Sequence, residues 1–421
     1  MMIRTLVSAV FLVASLGMAA ADEPLPAGEF IIRVYYPDIA SIERLARYDL
    51  HEYNNQAERY VRVSGNADVY RQLEREGWRI ALDEEATRAF TQFLPREFYG
   101  GYRSVDELYR DCAAVTAAHP AITEIVKYGE SQNKMMGGEK HGTTNCAGYD
   151  LIAVRVANRQ VSGPKPVFFL MANIHAREVT TPEMAMRFLD WLTRSYSTNA
   201  DARWIVDHQE TYIVPTANPD GHFIVSLHDP PYTQRKNGRR GGSAYWPPNG
   251  SQQYGVDCNR NHSYMWGASG SSTAPMDLTY RGAGAASEPE VSNLEAFVSA
   301  LIPDQRGPAP SDPAPETTAG ILVSLHSYSE LVLWPWGYGS AVAPNNAGLQ
   351  RIGQKFTTYN SYTPQKASQL YYASGDSVDW AYGALGIPAY TFECGTTFIP
   401  PYGQVDSDQW PRNFPALVYA A

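Results

Sequence analysis

Residues 173–184, NIHAREVTTPEM, place His175, Arg177 and Glu178 within four positions. They follow PVFFLMA, an almost wholly apolar run that is typical of a buried strand. A second histidine, His326, ends another such run, ILVSLH. Because open α/β sheets bind ligands at the carboxyl ends of their strands, we expect these side chains to meet at one edge of a sheet. Two neutral imidazoles and a carboxylate are a ligand set of catalytic zinc sites that keep a fourth position for water.

Further polar stretches accompany these residues at or near the ends of predicted strands. They are, in chain order, TANPDGH (216–222), GVDCNRN (255–261), SQLYYASGDSVDWAYG (368–383) and YTFECG (390–395). The second contains Asp257, Asn259 and Arg260, and the fourth places Glu393 at a strand end. An isolated His-x-x-Glu is common by chance, so the metal-site interpretation depends on these neighbours. A strand-end carboxylate beside a metal site is suited to act as a general base.

The elements that must position these residues alternate between strands and helices from about residue 102 onward. The strand-like runs are YDLIAVRVA, PVFFLMANI, ETYIVPTA, GILVSLHS and AYTFECG. Helices are predicted in SVDELYRDCAAVTAAHP, PEMAMRFLDWLTRSY and SEPEVSNLEAFVSAL. This pattern indicates an α/β fold with a mixed, mostly parallel sheet flanked by helices on both faces. We expect the Pro-rich stretch 303–320 to be a surface loop.

The first part of the chain has a different pattern. EFIIRVYY, RYVRVS and WRIAL are typical of strands, and helices are predicted to begin after Asp38 and Asn66. This alternation indicates a small ferredoxin-like α+β domain within residues 22–95. Residues 1–21 have a basic start at Arg4, an apolar centre and small residues at the end, which is typical of a secretory signal peptide. An N-terminal membrane anchor is the alternative.

Composition limits the remaining function classes. The 421 residues include 34 Lys and Arg against 44 Asp and Glu, a net charge of −10, and no basic run, so a nucleic-acid partner has little support. Four cysteines in an exported chain predict two disulfides. We favour Cys112 with Cys146 and Cys258 with Cys394, and four free thiols are the alternative.

From about residue 96 to residue 421 the sequence resembles the secreted zinc carboxypeptidases of the carboxypeptidase A/B and carboxypeptidase T group. The matching motifs are IHARE, NPDG, GVDCNRN, HSYSELVLWPWGY, ASGDSVDW and TFE, in that order. The resemblance implies the zinc carboxypeptidase fold and one Zn²⁺ per chain, held by His175, Glu178 and His326, with Asp257 orienting His175. Some relatives also bind calcium, but this sequence assigns no ligands for it.

The resemblance also implies catalytic and substrate-binding roles. Glu393 matches the base that activates the attacking water. Arg235 matches the residue that polarises the scissile carbonyl, although Arg239 and Arg240 compete for that assignment. The residues expected to hold the substrate are Asn259 and Arg260 at its terminal carboxylate, Tyr371 (or the adjacent Tyr372) as a mobile cover, and Arg177 at an accessory subsite.

Substrate preference is expected to depend on two pocket positions. The position of Val378 is apolar in relatives that prefer aromatic or aliphatic residues, and Asp376 matches an aspartate of carboxypeptidase T-like enzymes, which accept both apolar and basic residues. We therefore expect an exopeptidase that removes large apolar C-terminal residues and also Lys and Arg. A cell-wall peptidase of the same fold and a non-catalytic zinc-binding protein are the alternatives. The lack of an HExxH motif disfavours a classical endopeptidase.

The α+β domain resembles the family's propeptide, so a latent precursor is expected, with residues 96–421 as the catalytic domain. An activating protease would cut at an arginine such as Arg88, Arg96 or Arg103, and a permanently attached accessory domain is the alternative. The mature protein is expected to be secreted, extracellular or periplasmic, and monomeric. Its expected substrates are the C-termini of peptides and proteins, with no membrane partner.

Overall fold

The computed structural model describes residues 25, 30–45, 48–91, 98–240, 246–248 and 253–421, and the chain divides into two compact units between residues 94 and 95. The predicted signal peptide, residues 1–21, lies outside the described residues. The strands are β1 (Phe30–Tyr35), β2 (Asp49–Asn55), β3 (Tyr60–Gly65), β4 (Arg79–Leu82), β5 (Thr123–Glu130), β6 (Glu139–His141), β7 (Thr144–Cys146), β8 (Asp150–Val156), β9 (Val167–Ala172), β10 (Glu210–Val214), β11 (Ile321–His326), β12 (Leu331–Trp334), β13 (Thr363–Lys366) and β14 (Ala389–Glu393). The α-helices are α1 (Ala67–Arg75), α2 (Glu84–Thr91), α3 (Val105–Ala118), α4 (Gln132–Met135), α5 (Thr180–Arg194), α6 (Ala200–His208), α7 (Pro219–Val225), α8 (Pro289–Leu301), α9 (Asn346–Asn360), α10 (Ser377–Leu385) and α11 (Trp410–Ala420).

The first unit contains a four-stranded antiparallel sheet in the order β2-β3-β1-β4. A 3₁₀-helix, Ile39–Leu45, follows β1, and α1 connects β3 to β4. Asn66 caps α1 by accepting hydrogen bonds from the N–H groups of Asp68 and Val69. Gly77 leaves the helix with a φ of +82°, which favours glycine. The order of strands and helices is ferredoxin-like, as the sequence pattern predicts.

The second unit is built on an eight-stranded sheet in the order β13-β12-β14-β11-β9-β10-β8-β5. The pairs β9 with β10, β9 with β11, β11 with β14 and β12 with β13 are parallel, and the other three pairs are antiparallel. The prediction of a mixed, mostly parallel sheet is therefore confirmed. A separate hairpin, β6 with β7, lies in the insertion before β8, where the sequence analysis predicted no element.

Alternating side chains of the central strands bury both faces of this sheet. Phe168 and Leu170 of β9 belong to a hydrophobic cluster that includes residues of α3, α5, α6, α9 and α11. Phe169 and Met171 belong to a second cluster that includes residues of α8 and α10. We call these sides the Phe168 face and the Phe169 face. Burial on both faces explains why the sequence of β9 is a continuous apolar run. No helix within the described ranges is long and apolar enough to cross a membrane.

The predicted disulfides are wrong, because all four cysteines are free and buried. Cys258 packs on the Phe169 face and Cys394 on the Phe168 face, so the sheet separates them. The Cys112 sulfur lies 3.6 Å from the Met186 sulfur, and Cys146 lies at the end of β7. Burial raises the pKa of Cys112 to about 12 and that of Cys146 to about 11, which keeps both as thiols.

The Pro-rich stretch 303–320 contains no helix or strand, in line with the predicted loop. It is nevertheless attached to the core through Arg306, which is 6% exposed. The Arg306 guanidinium donates hydrogen bonds to the carbonyl oxygens of Asp312 and Gly383 at 2.7 Å each. A buried arginine thus fastens this loop to α10.

Candidate metal centre and substrate cavity

The loop after β9 brings two predicted metal ligands to the edge of the sheet. Asn173 follows the strand with a left-handed φ of +58°, and α5 begins at Thr180, so His175 and Glu178 lie in the short loop between them. His175 Nδ1 lies 2.8 Å from Glu178 Oε1. His326 is the last residue of β11, and its Nδ1 lies 3.1 Å from Glu178 Oε2 and 3.2 Å from His175 Nδ1.

These three residues fit a small divalent cation. Each is at most 4% exposed, and their ligand atoms lie within 4.8 Å of one another. Tetrahedral zinc with bonds of about 2.0–2.1 Å places neighbouring ligand atoms about 3.3 Å apart, close to the distance between the two imidazole nitrogens. Burial alone raises the pKa of Glu178, but the two histidines hold it well below its usual range. An ionised carboxylate between two imidazoles is suited to bind zinc.

Asp257 links the metal ligands to Arg235. Its Oδ1 lies 3.3 Å from His175 Nε2, and its Oδ2 accepts hydrogen bonds from Arg235 Nε at 2.9 Å and Nη2 at 2.8 Å. Although burial opposes ionisation, the charge of Arg235 holds the pKa of Asp257 well below its usual range. Arg235 Nη1 lies 3.4 Å from His175 Nδ1. Arg235 is thus fixed beside the candidate metal site by a fully buried carboxylate.

The two arginines that compete with Arg235 in the sequence point elsewhere. Arg239 Nε pairs with Glu288 Oε2 at 2.7 Å, and Arg240 Nη1 donates a hydrogen bond to the carbonyl oxygen of Lys140 at 2.8 Å. Neither lines the cavity that contains Arg235. Of these three arginines, Arg235 is therefore the one that lies beside the candidate metal ligands and in the cavity.

Three arginines, Arg177, Arg235 and Arg260, line a cavity of about 710 Å³. Its other lining residues are Gly270, Ser271, Ser272, Thr273, Leu278, Thr279, Tyr371 and Tyr372. Among the described residues, the Arg260 guanidinium donates only to backbone oxygens, those of Gly270 at 3.1 Å and Asn259 at 2.7 Å. Within the described part of the chain no acidic side chain forms an ion pair with Arg177 or Arg260. This cavity is suited to bind an anion.

Both candidate tyrosines lie at this cavity. Tyr371 is 53% exposed and Tyr372 is 45% exposed, so either ring is free to reorient. The Tyr371 ring centre lies 5.9 Å from the Arg260 guanidinium carbon. This contact distinguishes Tyr371 from its neighbour.

The remaining predicted pocket residues are buried behind the cavity wall. Asn259 accepts a hydrogen bond from the Ser377 N–H at 3.0 Å. Asp376 caps α10, because its Oδ1 accepts from the N–H groups of Val378 at 3.0 Å and Asp379 at 2.9 Å. Its buried Oδ2 has no hydrogen-bond partner among the described residues. Val378 packs on the Phe169 face, and neither Asp376 nor Val378 lines the cavity.

Glu393 reaches the same edge of the sheet from another strand. It is the last residue of β14 and the register partner of His326 in β11. Its side chain is half-buried, and burial raises its pKa to about 7, although the nearby His326 charge acts in the opposite direction. A carboxyl group with a pKa near neutrality is suited to accept and return a proton.

Asn173 is a site residue that the sequence analysis missed. Its amide nitrogen donates hydrogen bonds to the carbonyl oxygens of His175 at 3.2 Å and Ala176 at 3.1 Å. Its Oδ1 accepts from the hydroxyl group of Thr216 at 3.0 Å. The only signal for it in the sequence is an asparagine, which tolerates a left-handed φ, directly after a buried strand. Asn173 therefore holds the backbone of the loop that contains His175 and Glu178.

We expect Asn173→Asp to weaken zinc binding about tenfold or more, because a carboxylate would face two carbonyl oxygens that now receive N–H groups. Asn173→Gly is the matched variant, since glycine keeps the left-handed φ and removes only the amide. The measurement is zinc affinity by competition with a chelator. If the glycine variant binds zinc as the original protein does, the side-chain bonds do not support the loop.

Known proteins share this sequence pattern and fold. The sequence model of the zinc carboxypeptidase family matches residues 108–410. The chain is 31% identical over 326 residues to zinc carboxypeptidase A 1 of Anopheles gambiae. The aligned region covers 74% of this chain and 64% of that protein, so this chain spans less than two thirds of the length of that relative. It is 25% identical over 386 residues to carboxypeptidase A1 of Rattus norvegicus, which covers 89% of this chain and 79% of that protein.

Solved structures show the same fold. Thrombin activatable fibrinolysis inhibitor is similar with a TM-score of 0.63 and 20% identity over 93% of this chain and 98% of that chain. Carboxypeptidase A from Helicoverpa armigera is similar with a TM-score of 0.60 and 18% identity over 93% of this chain and 97% of that chain. The large mixed sheet with helices on both faces is therefore shared with solved carboxypeptidase structures.

Proposed function

The chain belongs to the zinc carboxypeptidase family, and on this basis we propose that it is a zinc-dependent exopeptidase that removes residues singly from the C-termini of peptides and proteins. The observation that carries the proposal is the positively charged cavity beside the metal ligands. Arg177 and Arg260 line it without an acidic partner among the described residues. A free C-terminal carboxylate would supply the missing negative charge.

Zinc binding is assigned to His175, Glu178 and His326. When bound, zinc polarises the scissile carbonyl and favours ionisation of an attacking water. Asp257 contacts His175 on the side away from Glu178 and keeps that ring oriented. The same carboxylate fixes Arg235, so one buried residue positions a metal ligand and a cationic group together.

Glu393 and Arg235 are assigned to the chemical step. Glu393 takes a proton from the water that adds to the scissile carbonyl and returns a proton to the leaving amine nitrogen as the C–N bond breaks. Arg235 donates hydrogen bonds to the carbonyl oxygen as negative charge develops on it. The products are a shortened peptide and a free amino acid.

Arg260 and Asn259 are assigned to the terminal carboxylate of the substrate. The Asn259 side-chain oxygen is engaged by the Ser377 N–H, which leaves its amide group as a donor. Tyr371, exposed and next to Arg260, closes over the bound C-terminal residue. Arg177, whose guanidinium carbon lies 3.9 Å from the Phe398 ring centre, extends the site along the peptide.

We infer a broad side-chain preference, with large apolar residues accepted and Lys and Arg also accepted. Leu278 and the two tyrosines offer apolar contacts in the cavity. Acceptance of basic residues is proposed from the position of Asp376, which matches an aspartate of carboxypeptidase T-like enzymes, although its buried Oδ2 lies behind the cavity wall. Val378, behind the wall, restricts the depth of the pocket.

The protein is proposed to be a secreted monomer, made as a latent precursor in which the first unit is a propeptide removed by an activating protease. The alignment with the rat relative extends into the first unit, because its 386 residues exceed the 327 residues of the second unit, 95–421. Of the candidate cleavage sites, the side chains of Arg88 and Arg96 lie outside the described residues. Arg103 is buried and paired with Asp111, so we exclude it.

The decisive experiment follows two unstructured peptides, one ending in Phe and one in Arg, by mass spectrometry. Each is incubated with the full-length protein before and after limited proteolysis that separates the two units, with and without a zinc chelator. We expect stepwise loss of C-terminal residues from both peptides after proteolysis, no loss with chelator, and recovery when zinc is added back. Internal cleavage, or hydrolysis of a muropeptide but not of these peptides, would contradict the proposal.

A further inference from the structure

Residues 98–103, which we call the leading segment, enter the second unit just before α3. They contribute none of the residues assigned to the reaction, yet Tyr102 is fully buried and Phe98 is 7% exposed. Burial of two large aromatic side chains outside the main sheet requires partners. Some of those partners lie in residues 173–179, which we call the metal loop.

Phe98 and Tyr102 pack in a hydrophobic cluster with Ala176 and Val179 of the metal loop and with Val225 and Val405. Ala176 follows His175 directly, and Val179 follows Glu178 directly. The cluster therefore contacts the metal loop at the residues that directly follow the two candidate zinc ligands, His175 and Glu178. Because protein interiors are close-packed and contain few voids, a shift of Phe98 or Tyr102 would be transmitted to the metal loop.

Tyr102 also contacts the segment of residues 398–402. Its hydroxyl group donates a hydrogen bond to the carbonyl oxygen of Pro400 at 2.9 Å, and its ring lies 5.1 Å from the Tyr402 ring, edge to face. Two residues before Pro400 is Phe398, over which Arg177 of the metal loop stacks. A single side chain thus joins the metal loop to the 398–402 segment, on which Arg177 stacks.

The backbone next to Tyr102 is fastened as well. The Arg103 N–H donates to Glu183 Oε1 at 2.9 Å, and its carbonyl oxygen lies 2.8 Å from His222 Nε2. Glu183 belongs to the first turn of α5, the helix that follows the metal loop. The leading segment therefore has a fixed position relative to α5, which follows the loop, and relative to α7.

We propose that Tyr102 is a positioning residue for the zinc site, which it stabilises by holding the metal loop against the 398–402 segment. The inference rests on the assignment of His175, Glu178 and His326 to zinc. It extends that assignment by making the leading segment part of the catalytic structure. A protein processed within residues 98–103 would lose this support.

The test compares Tyr102→Phe with Tyr390→Phe in the full-length protein loaded with zinc. Tyr390 is a matched control: it is also fully buried, and its hydroxyl group also donates to a backbone oxygen, that of Leu349, at 2.9 Å. The measurements are the rate at which a colorimetric chelator removes zinc and the thermal unfolding midpoint. Phenylalanine keeps the packed ring, so both variants are expected to fold.

We expect Tyr102→Phe to release zinc about threefold to tenfold faster, and Tyr390→Phe to release it at the original rate, although both lose one buried hydrogen bond. An unchanged release rate in Tyr102→Phe, or equal acceleration in both variants, would overturn the proposal. Zinc release needs no peptidase activity, so this result stands apart from the peptide assay. A protein that binds zinc but cleaves nothing would overturn only the proposed exopeptidase.

Discussion

Glu393→Gln lowers kcat on a peptide substrate by about 10²–10⁴-fold while zinc content stays the same, if Glu393 is the general base. Glutamine keeps the size and shape of the side chain at the end of β14 but has no carboxylate to accept a proton. Since Glu393 is not one of the three residues that converge on the candidate metal position, its replacement leaves that ligand set intact. The loss is therefore expected in kcat, with KM little changed.

Glu295→Gln is the control for this experiment. Glu295, on α8, is also half-buried and carries the same chemical group, but it accepts hydrogen bonds from His262 and Ser263. Its replacement is expected to leave kcat unchanged and to lower stability only slightly. The measurements are kcat and KM by steady-state kinetics, and zinc content, on the same samples of both variants and the original protein. A Glu393→Gln enzyme that keeps most of its kcat would remove Glu393 from the reaction.

Arg260→Gln is expected to lower kcat/KM for peptides with a free C-terminal carboxylate by on the order of 10²–10³-fold. The guanidinium lies in the cavity and has only backbone acceptors in the described part of the chain, so its charge and paired donors are available to a carboxylate. Peptides with an amidated C-terminus lack that charge, and their slow cleavage should change little. We therefore expect Arg260→Gln to lose most of the preference for a free over an amidated C-terminus.

The kinetic comparison uses a free and an amidated form of one peptide, with Arg306→Gln as the control. Arg306 is also buried, also donates to backbone oxygens, and also lies near aromatic rings, those of Trp336 and Tyr382. Its replacement should affect both peptides equally. Equal loss on both peptides in Arg260→Gln would show that this arginine acts on folding and not on the carboxylate.

Much of the fold follows from local patterns in the sequence. Apolar runs such as that of β9 identify buried strands, because a strand covered on both faces needs apolar residues at every position. In the first unit, Asn66 and Gly77 mark the start and end of a helix by their capping and turn chemistry. The close pair His175 and Glu178 is likewise local, since the two residues are three positions apart in one loop.

The long-range parts of the site depend on strand pairing. His326 and Glu393 are brought together only because β11 and β14 pair in parallel with those two residues in register. Residue types alone leave Arg235, Arg239 and Arg240 equivalent, and the buried Asp257 is what selects the first of them. The role of Tyr102 is invisible in the sequence for the same reason, because its partners lie in the metal loop and at Pro400.

The disulfide prediction failed where such information was missing. An even number of cysteines in a chain that is expected to be exported favours disulfide pairing, but it does not show which face of the sheet each cysteine occupies. Cys258 and Cys394 lie beside functional residues in the sequence and on opposite faces of the sheet in the structure. The sequence alone determined the chemistry that is available, through the residue types at strand ends. The tertiary structure decided which of those residues meet, because strand order and register are set by packing over the whole chain and not by any local run.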